Sequence, residues 1–258
     1  MTINYHWRVT KYNPNFRDEN GYYTLKEEWT CPSEIGKIIN GKEFTLDEYL
    51  HVESAYVNTV IKFLTENKLS SLRILQLSIL EISPEEKSSL LFEPEFTEIN
   101  LDEDAIVSID EIRTICKMIL RNYLGCQLYS KDNFFVHFGW DYYMFIGSAI
   151  KPTSAIQFAT ENGLFVEEID SSPYYFTEEQ TTRLVQWTKI SDEVKVVVAD
   201  EEIKQVPLEE YRKIFNLSEE HPVIGSFKIT IEQKNFFQRF IEHRMDFNKY
   251  EYWFWGGF

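Results

Sequence analysis

Asp170, Glu193 and Lys195 are the residues whose types and spacing come nearest to a hydrolytic centre. An acid at the end of one strand and a Glu-x-Lys triplet on another can hold a divalent cation, with the lysine beside an attacking water. The triplet has low information content in a chain rich in Glu and Lys, and Glu232-Gln233-Lys234 repeats it. A formal net charge of −16 also opposes a nucleic-acid substrate. A metal-dependent hydrolase or nuclease built on these three residues is therefore the alternative reading.

Other constellations are thinner. His6, His51, His137, His221 and His243 form neither His-x-x-x-His nor His-Glu-x-x-His, so no zinc enzyme is signalled. His137 and Asp141 flank a turn in Phe-His-Phe-Gly-Trp-Asp-Tyr-Tyr, where an acid could orient an imidazole as general base. A partly buried histidine among aromatics is the expected state there. Glu167 shares a strand face with Phe165 and Ile169, and an edge strand would let its carboxylate reach solvent. Cys31, Cys116 and Cys126 are widely spaced, which fits reduced thiols and neither a disulfide framework nor a zinc site. Only 10 glycines are present, without a phosphate-cradling motif or a nucleophile elbow. Asp102-Glu103-Asp104 offers hard oxygens but lacks the spacing of a calcium loop. The expectation is no catalytic constellation, no metal and no cofactor.

The acidity is local. Between Glu81 and Glu111 stand eleven acids and one base, Lys87, a balance of −10 out of −16. Glu86 and Glu111 occupy helix-cap positions, where the helix dipole favours negative charge. Glu93, Glu95, Glu98, Asp102, Glu103 and Asp104 have no such local reason, and they form the candidate surface for a basic protein partner.

The elements that must position these residues are legible in outline. Thr45/Glu48, Ser83/Glu86 and Ser108/Glu111 are capping boxes that open helices, the first running to about residue 68. Residues 72–82 are apolar on both faces and predict a central strand. Strands are predicted over 5–11, 126–130, 134–138, 142–146, 164–169, 186–190, 194–199, 223–231 and 250–255, with helices over 153–162, 178–184, 207–216 and 233–245. Six of the last nine residues are aromatic, which suits a strand buried on both sides. Adjacent strands and irregular alternation indicate an α+β fold with mixed or mainly antiparallel sheets and packed helices. Two lobes are expected, 1–104 and 105–258, unless they form one continuous domain. Neither a signal-peptide core nor an apolar run of membrane-spanning length stands out.

These features point to a non-enzymatic, cytoplasmic, acidic binding protein that partners neither nucleic acid nor membrane. An inhibitor of immunity-protein or antitoxin type, neutralising a basic protein, is the expected form.

Overall fold

A computed structural model describes residues 3–20, 22–24, 28–175, 177, 180–190 and 196–257. The chain divides into two compact units, Met1–Tyr175 and Phe176–Phe258.

The first unit contains β1 (Tyr5–Thr10), β2 (Ile38–Ile39), β3 (Lys42–Glu43), α1 (Leu46–Glu66), β4 (Ser71–Ile79), α2 (Pro84–Lys87), β5 (Ile106–Ser108), α3 (Ile109–Leu120), β6 (Leu124–Ser130), β7 (Phe134–Phe138), β8 (Met144–Ser148), α4 (Thr153–Glu161) and β9 (Phe165–Ile169). Seven strands form an antiparallel sheet in the order β5-β4-β6-β7-β8-β1-β9. Strand side chains alternate between faces. Trp7, Val9, Ile74, Leu128, Val136 and Ile146 share one core with Tyr56, Val60, Phe63 and Leu64 of α1 and Ile112, Ile115 and Ile119 of α3. All three capping boxes read from the sequence are formed, each with reciprocal side-chain and backbone bonds.

The other face of the sheet is also closed. Tyr174 stacks on His137 with ring centroids 3.9 Å apart, and Tyr175 stacks on Phe135 at 5.1 Å. Gln127 Nε2 donates to the Tyr174 carbonyl at 2.8 Å, fastening this segment to β6. Gly147 lies beneath Phe135, and a Cβ there would collide with the ring. His6 and His137 are covered with Nδ1 unpartnered.

The second unit contains β10 (Thr182–Lys189), β11 (Val197–Glu202), α5 (Leu208–Phe215), β12 (Gly225–Ile229), α6 (Lys234–Phe237) and β13 (Tyr250–Gly257). Its antiparallel sheet runs β11-β10-β13-β12. The aromatic terminal strand pairs on both sides, with Tyr252 and Phe254 wholly buried, Phe254 against Tyr211 and Phe237 and Tyr252 against Trp187 and Phe247. The fold is α+β with antiparallel sheets, as the sequence indicates. Among the described residues no helix is long and apolar enough to cross a membrane.

Three expectations change. Residues 182–184, read as the end of a helix, belong to β10, because pairing with β13 from Thr182 to Lys189 overrides local preference. The helix expected over 233–245 closes at Phe237, and a hydrogen-bonded loop follows. The acidic segment 93–104, read as a lobe boundary, lies inside the first unit, since a cut there would separate β4 from its neighbours β5 and β6.

Burial without a charge partner pushes His137 down from 6.5 to about 4, and His6 moves the same way. The unfolded chain takes up a proton near pH 6.5 while the folded imidazole stays neutral. Stability contributed by His137 is therefore complete above about 6.5 and is lost as the pH falls toward 4, and His6 acts in the same direction. His137→Phe, which keeps the stack on Tyr174, is expected to flatten the pH dependence of the urea midpoint in this window. One proton corresponds to a slope of about 1.4 kcal/mol per pH unit.

Candidate binding site

The site begins with an irregularity in β4. Gln76 adopts φ 58°, and the β4–β6 register shifts between Leu75 and Ser78. Such a bulge strips ladder partners from the backbone. The Glu103 carboxylate supplies them, accepting the N–H groups of Gln76 at 2.8 Å and Leu77 at 2.7 Å. Pairing then resumes at Ser78 and Ile79, and the Leu80 N–H donates to the Tyr123 carbonyl. The strand thus delivers Ile79 and Leu80, about half exposed at 55% and 53%, to one end of the sheet.

At that end lies a cleft of about 630 Å³, lined by Leu80 together with Ile119, Leu120, Leu124, Phe138 and Trp140, and by Cys31, Asn122 and Asp141. Its rim is the turn Trp140–Tyr142 between β7 and β8. Asp141 and Tyr142 both take left-handed φ values, 54° and 62°. Successive non-glycine residues in that region are costly and persist only when their surroundings hold them. The Tyr142 hydroxyl donates to the Leu120 carbonyl at 3.0 Å, and the Tyr56 hydroxyl donates to the Tyr142 carbonyl at 2.6 Å. The Tyr142 ring also meets Trp29 edge-on at 4.9 Å. The turn so fixed holds Trp140 87% exposed.

The acidic segment is anchored beside this cleft. Arg121, the residue after α3, has a side chain only 3% exposed. Nε and Nη2 grip the equally buried Glu53 carboxylate at 2.7 and 2.6 Å, Nη1 donates to the Leu91 carbonyl, and Glu93 lies 2.7 Å away. The guanidinium stacks over Phe96, which is buried against Phe92 and Tyr123. Lys117 completes the pairing of Glu93 at 2.7 Å. Burial raises the Glu93 pKa, but Lys117 and Arg121 outweigh it and hold the carboxyl below its ordinary range.

The six acids read as a partner surface therefore divide. Glu93 is held by Arg121 and Lys117, Glu103 clasps the bulge, and Asp104 pairs with Arg73 at 3.0 Å. Glu95, Glu98 and Asp102 are exposed. Glu167, expected to reach solvent from an edge strand, does lie on the edge strand β9, but Arg8 and Arg17 bind its carboxylate at 3.1 and 2.6 Å. His137 and Asp141 do not join into a catalytic pair: the imidazole stacks on Tyr174 with Nδ1 unpartnered, while Asp141 stands in the cleft rim.

A family model described as a domain of unknown function (DUF7683) matches residues 182–255. Comparison with curated proteins and with solved structures gave no match. The matched segment covers β10, β11 and β12, and β13 as far as Trp255, and carries no assigned activity.

Of the hydrolase alternative, Asp170 is exposed just beyond β9, and Glu193 and Lys195 lie outside the described residues. Asp170 belongs to the first unit. Among the described residues no group of three or more His, Cys, Asp or Glu is arranged to hold a metal ion.

Sequence reasoning misses Trp140 and Arg121. Trp140 carries a usable signal, since an aromatic at the tip of Gly-Trp-Asp has no neighbours to bury it. Arg121 carries only the oddity of a cation closing an apolar helix face. Removing it leaves the buried Glu53 carboxylate without its counter-charge, the Tyr49 hydroxyl at 3.0 Å remaining as a donor. Arg121→Ala is expected to cost about 3–5 kcal/mol, read from chemical denaturation. Hydrogen exchange is expected to speed up over residues 91–98, which lose their anchor, while β8 and β1 stay protected.

Proposed function

We propose that the first unit is a protein-binding module for a basic partner, and that the chain works by masking that partner, as inhibitors of immunity-protein or antitoxin type do. The observation that carries this reading is Trp140, 87% exposed at the mouth of an apolar cleft on a turn held in a costly conformation. Exposing an indole this way gives the isolated fold nothing, whereas Trp is among the commonest energetic anchors of interfaces. Leu80 adds apolar surface at the same cleft.

Charge supports the choice of partner. Glu81 follows Leu80 directly, and Arg121, which anchors the acidic segment, lies between the cleft-lining residues Leu120 and Asn122. Glu81, Glu85, Glu95, Glu98 and Asp102 are exposed, with Lys87 the single base between Glu81 and Glu111. The first unit carries 27 acids against 15 bases, the second 15 against 11, so the negative field belongs to the unit with the cleft. A basic surface would be steered to these carboxylates and then seated by Trp140. The three cysteines are free, which suits work in a reducing cytoplasm.

The test is capture from the native cell with the purified chain. Recovery of a basic protein is expected, with binding weakened about thirtyfold by Trp140→Ala, a loss typical of a hot spot. The triple change Glu95→Lys, Glu98→Lys and Asp102→Lys is expected to slow association and reduce its salt dependence, because among the described residues these acids have no ion pair that must be broken. Failure to recover a basic partner, or a partner indifferent to both variants, rejects the reading.

A further inference from the structure

The second unit holds a feature of opposite character. A cleft of about 590 Å³ opens between the chain around α6 and the loop of residues 241–249, with Lys234, His243, Arg244, Asp246, Lys249 and Tyr250 among its walls. Three cations and one carboxylate face it, in a chain whose net charge is −16. Lys249 is partnered by Asp246 at 3.6 Å. Lys234 and Arg244 have no carboxylate partner among the described residues. Glu232 and Glu242 are near in sequence but do not line the cleft.

The loop is irregular yet built. The Glu201 carboxylate accepts the N–H groups of Glu242 and His243 at 2.6 and 2.8 Å. Gln238 donates to the His243 carbonyl and accepts the Met245 N–H. Asp246 Oδ1 accepts the Asn248 N–H, and the Asp246 carbonyl accepts the Tyr250 N–H. The His243 ring lies flat on Trp187 at 4.1 Å, with Nε2 2.9 Å from a Tyr252 hydroxyl that also accepts the Asp246 N–H. Nδ1 of His243 is left without a protein partner among the described residues. A loop backbone held this firmly spares a small anionic ligand the cost of ordering it, leaving only the Lys and Arg side chains to be immobilised.

We propose that this cleft binds a small soluble compound through a phosphate group. Arg244 supplies a planar fork suited to two phosphate oxygens, Lys234 and Lys249 supply point charges, and His243 and Tyr250 supply an aromatic edge. The size of the cleft suits a compact ligand. The chain's overall charge repels extended polyanions and anionic bilayers, which favours a free phosphate compound over a nucleic acid or a lipid headgroup. The proposal is independent of the partner reading for the first unit.

Pyrophosphate is the probe, titrated against the full chain at constant ionic strength, with chloride as the control and thermal unfolding as the readout. A saturable rise in Tm is expected with pyrophosphate alone. Arg244→Ala with Lys234→Gln removes charge-assisted hydrogen bonds and is expected to weaken the effect about tenfold or more. Far-UV circular dichroism of the variant, unchanged from the parent, separates loss of binding from loss of fold. No saturable rise, or an equal rise in the variant, overturns the proposal. So does co-sedimentation with vesicles containing phosphatidic acid in the absence of any response to pyrophosphate.

Discussion

The Arg121–Glu53 pair is the interaction on which the arrangement of the first unit rests. Both side chains are buried, and the guanidinium is bidentate to a carboxylate from the middle of α1. Buried ion pairs add little stability over an apolar substitute, but losing one partner is severe. Their contribution here is positional. One guanidinium binds α1 through Glu53, the acidic segment through Glu93 and the Leu91 carbonyl, and the ring of Phe96, all from the end of α3. The Leu120 carbonyl next to it receives the Tyr142 hydroxyl that holds the Trp140 turn, and the Tyr49 hydroxyl as well. The acidic segment and the apolar cleft are therefore fixed from neighbouring residues of one helix end.

The carboxylates of this protein serve two purposes that charge counting does not separate. Glu53, Glu93, Glu103, Asp104 and Glu167 satisfy internal cations or backbone donors. In the second unit Glu201 does the same for the loop that walls the cationic cleft. Of the six acids at 93–104, only Glu95, Glu98 and Asp102 are left in water. The exposed part of this segment is thus smaller than its charge count suggests.

What was legible in the sequence follows from how far each determinant reaches. The capping boxes are closed by residues three apart, so the pattern and the structure agree. The strand over residues 72–82 is recognisable from its apolar faces, but its bulge depends on Glu103, 27 residues from Gln76. The terminal aromatic strand is readable as a paired strand, but only its Tyr252/Phe254 face is buried, and Trp253 and Trp255 are half-buried. The spacing of Phe236, Phe237, Phe240 and Ile241 reads as a helix, yet Glu201 and Gln238 capture the backbone beyond α6 and convert it to a loop. The acid cluster is visible as charge, while the division into bound and free carboxylates depends on Arg73, Arg121 and the β4 backbone, all distant in the chain. The exposure of Trp140 rests on Tyr56 and Leu120, which no local pattern names.

The position of β1 has a consequence for how the first unit is made. This strand, earliest of those described, is inserted between β8 and β9, pairing Tyr5 with Ser148 and His6 with Ile169. No stable place exists for it until those late strands have been synthesised. At ordinary elongation rates this leaves Trp7 and Val9 without their core for on the order of ten seconds. The sheet can assemble from β4 to β8 as they emerge, since β6, β7 and β8 pair with their sequence neighbours. Closure, however, is a late and long-range event. The nascent chain consequently spends much of its birth with an apolar strand awaiting its partners, a window in which chaperone binding would matter more than it does for the finished protein.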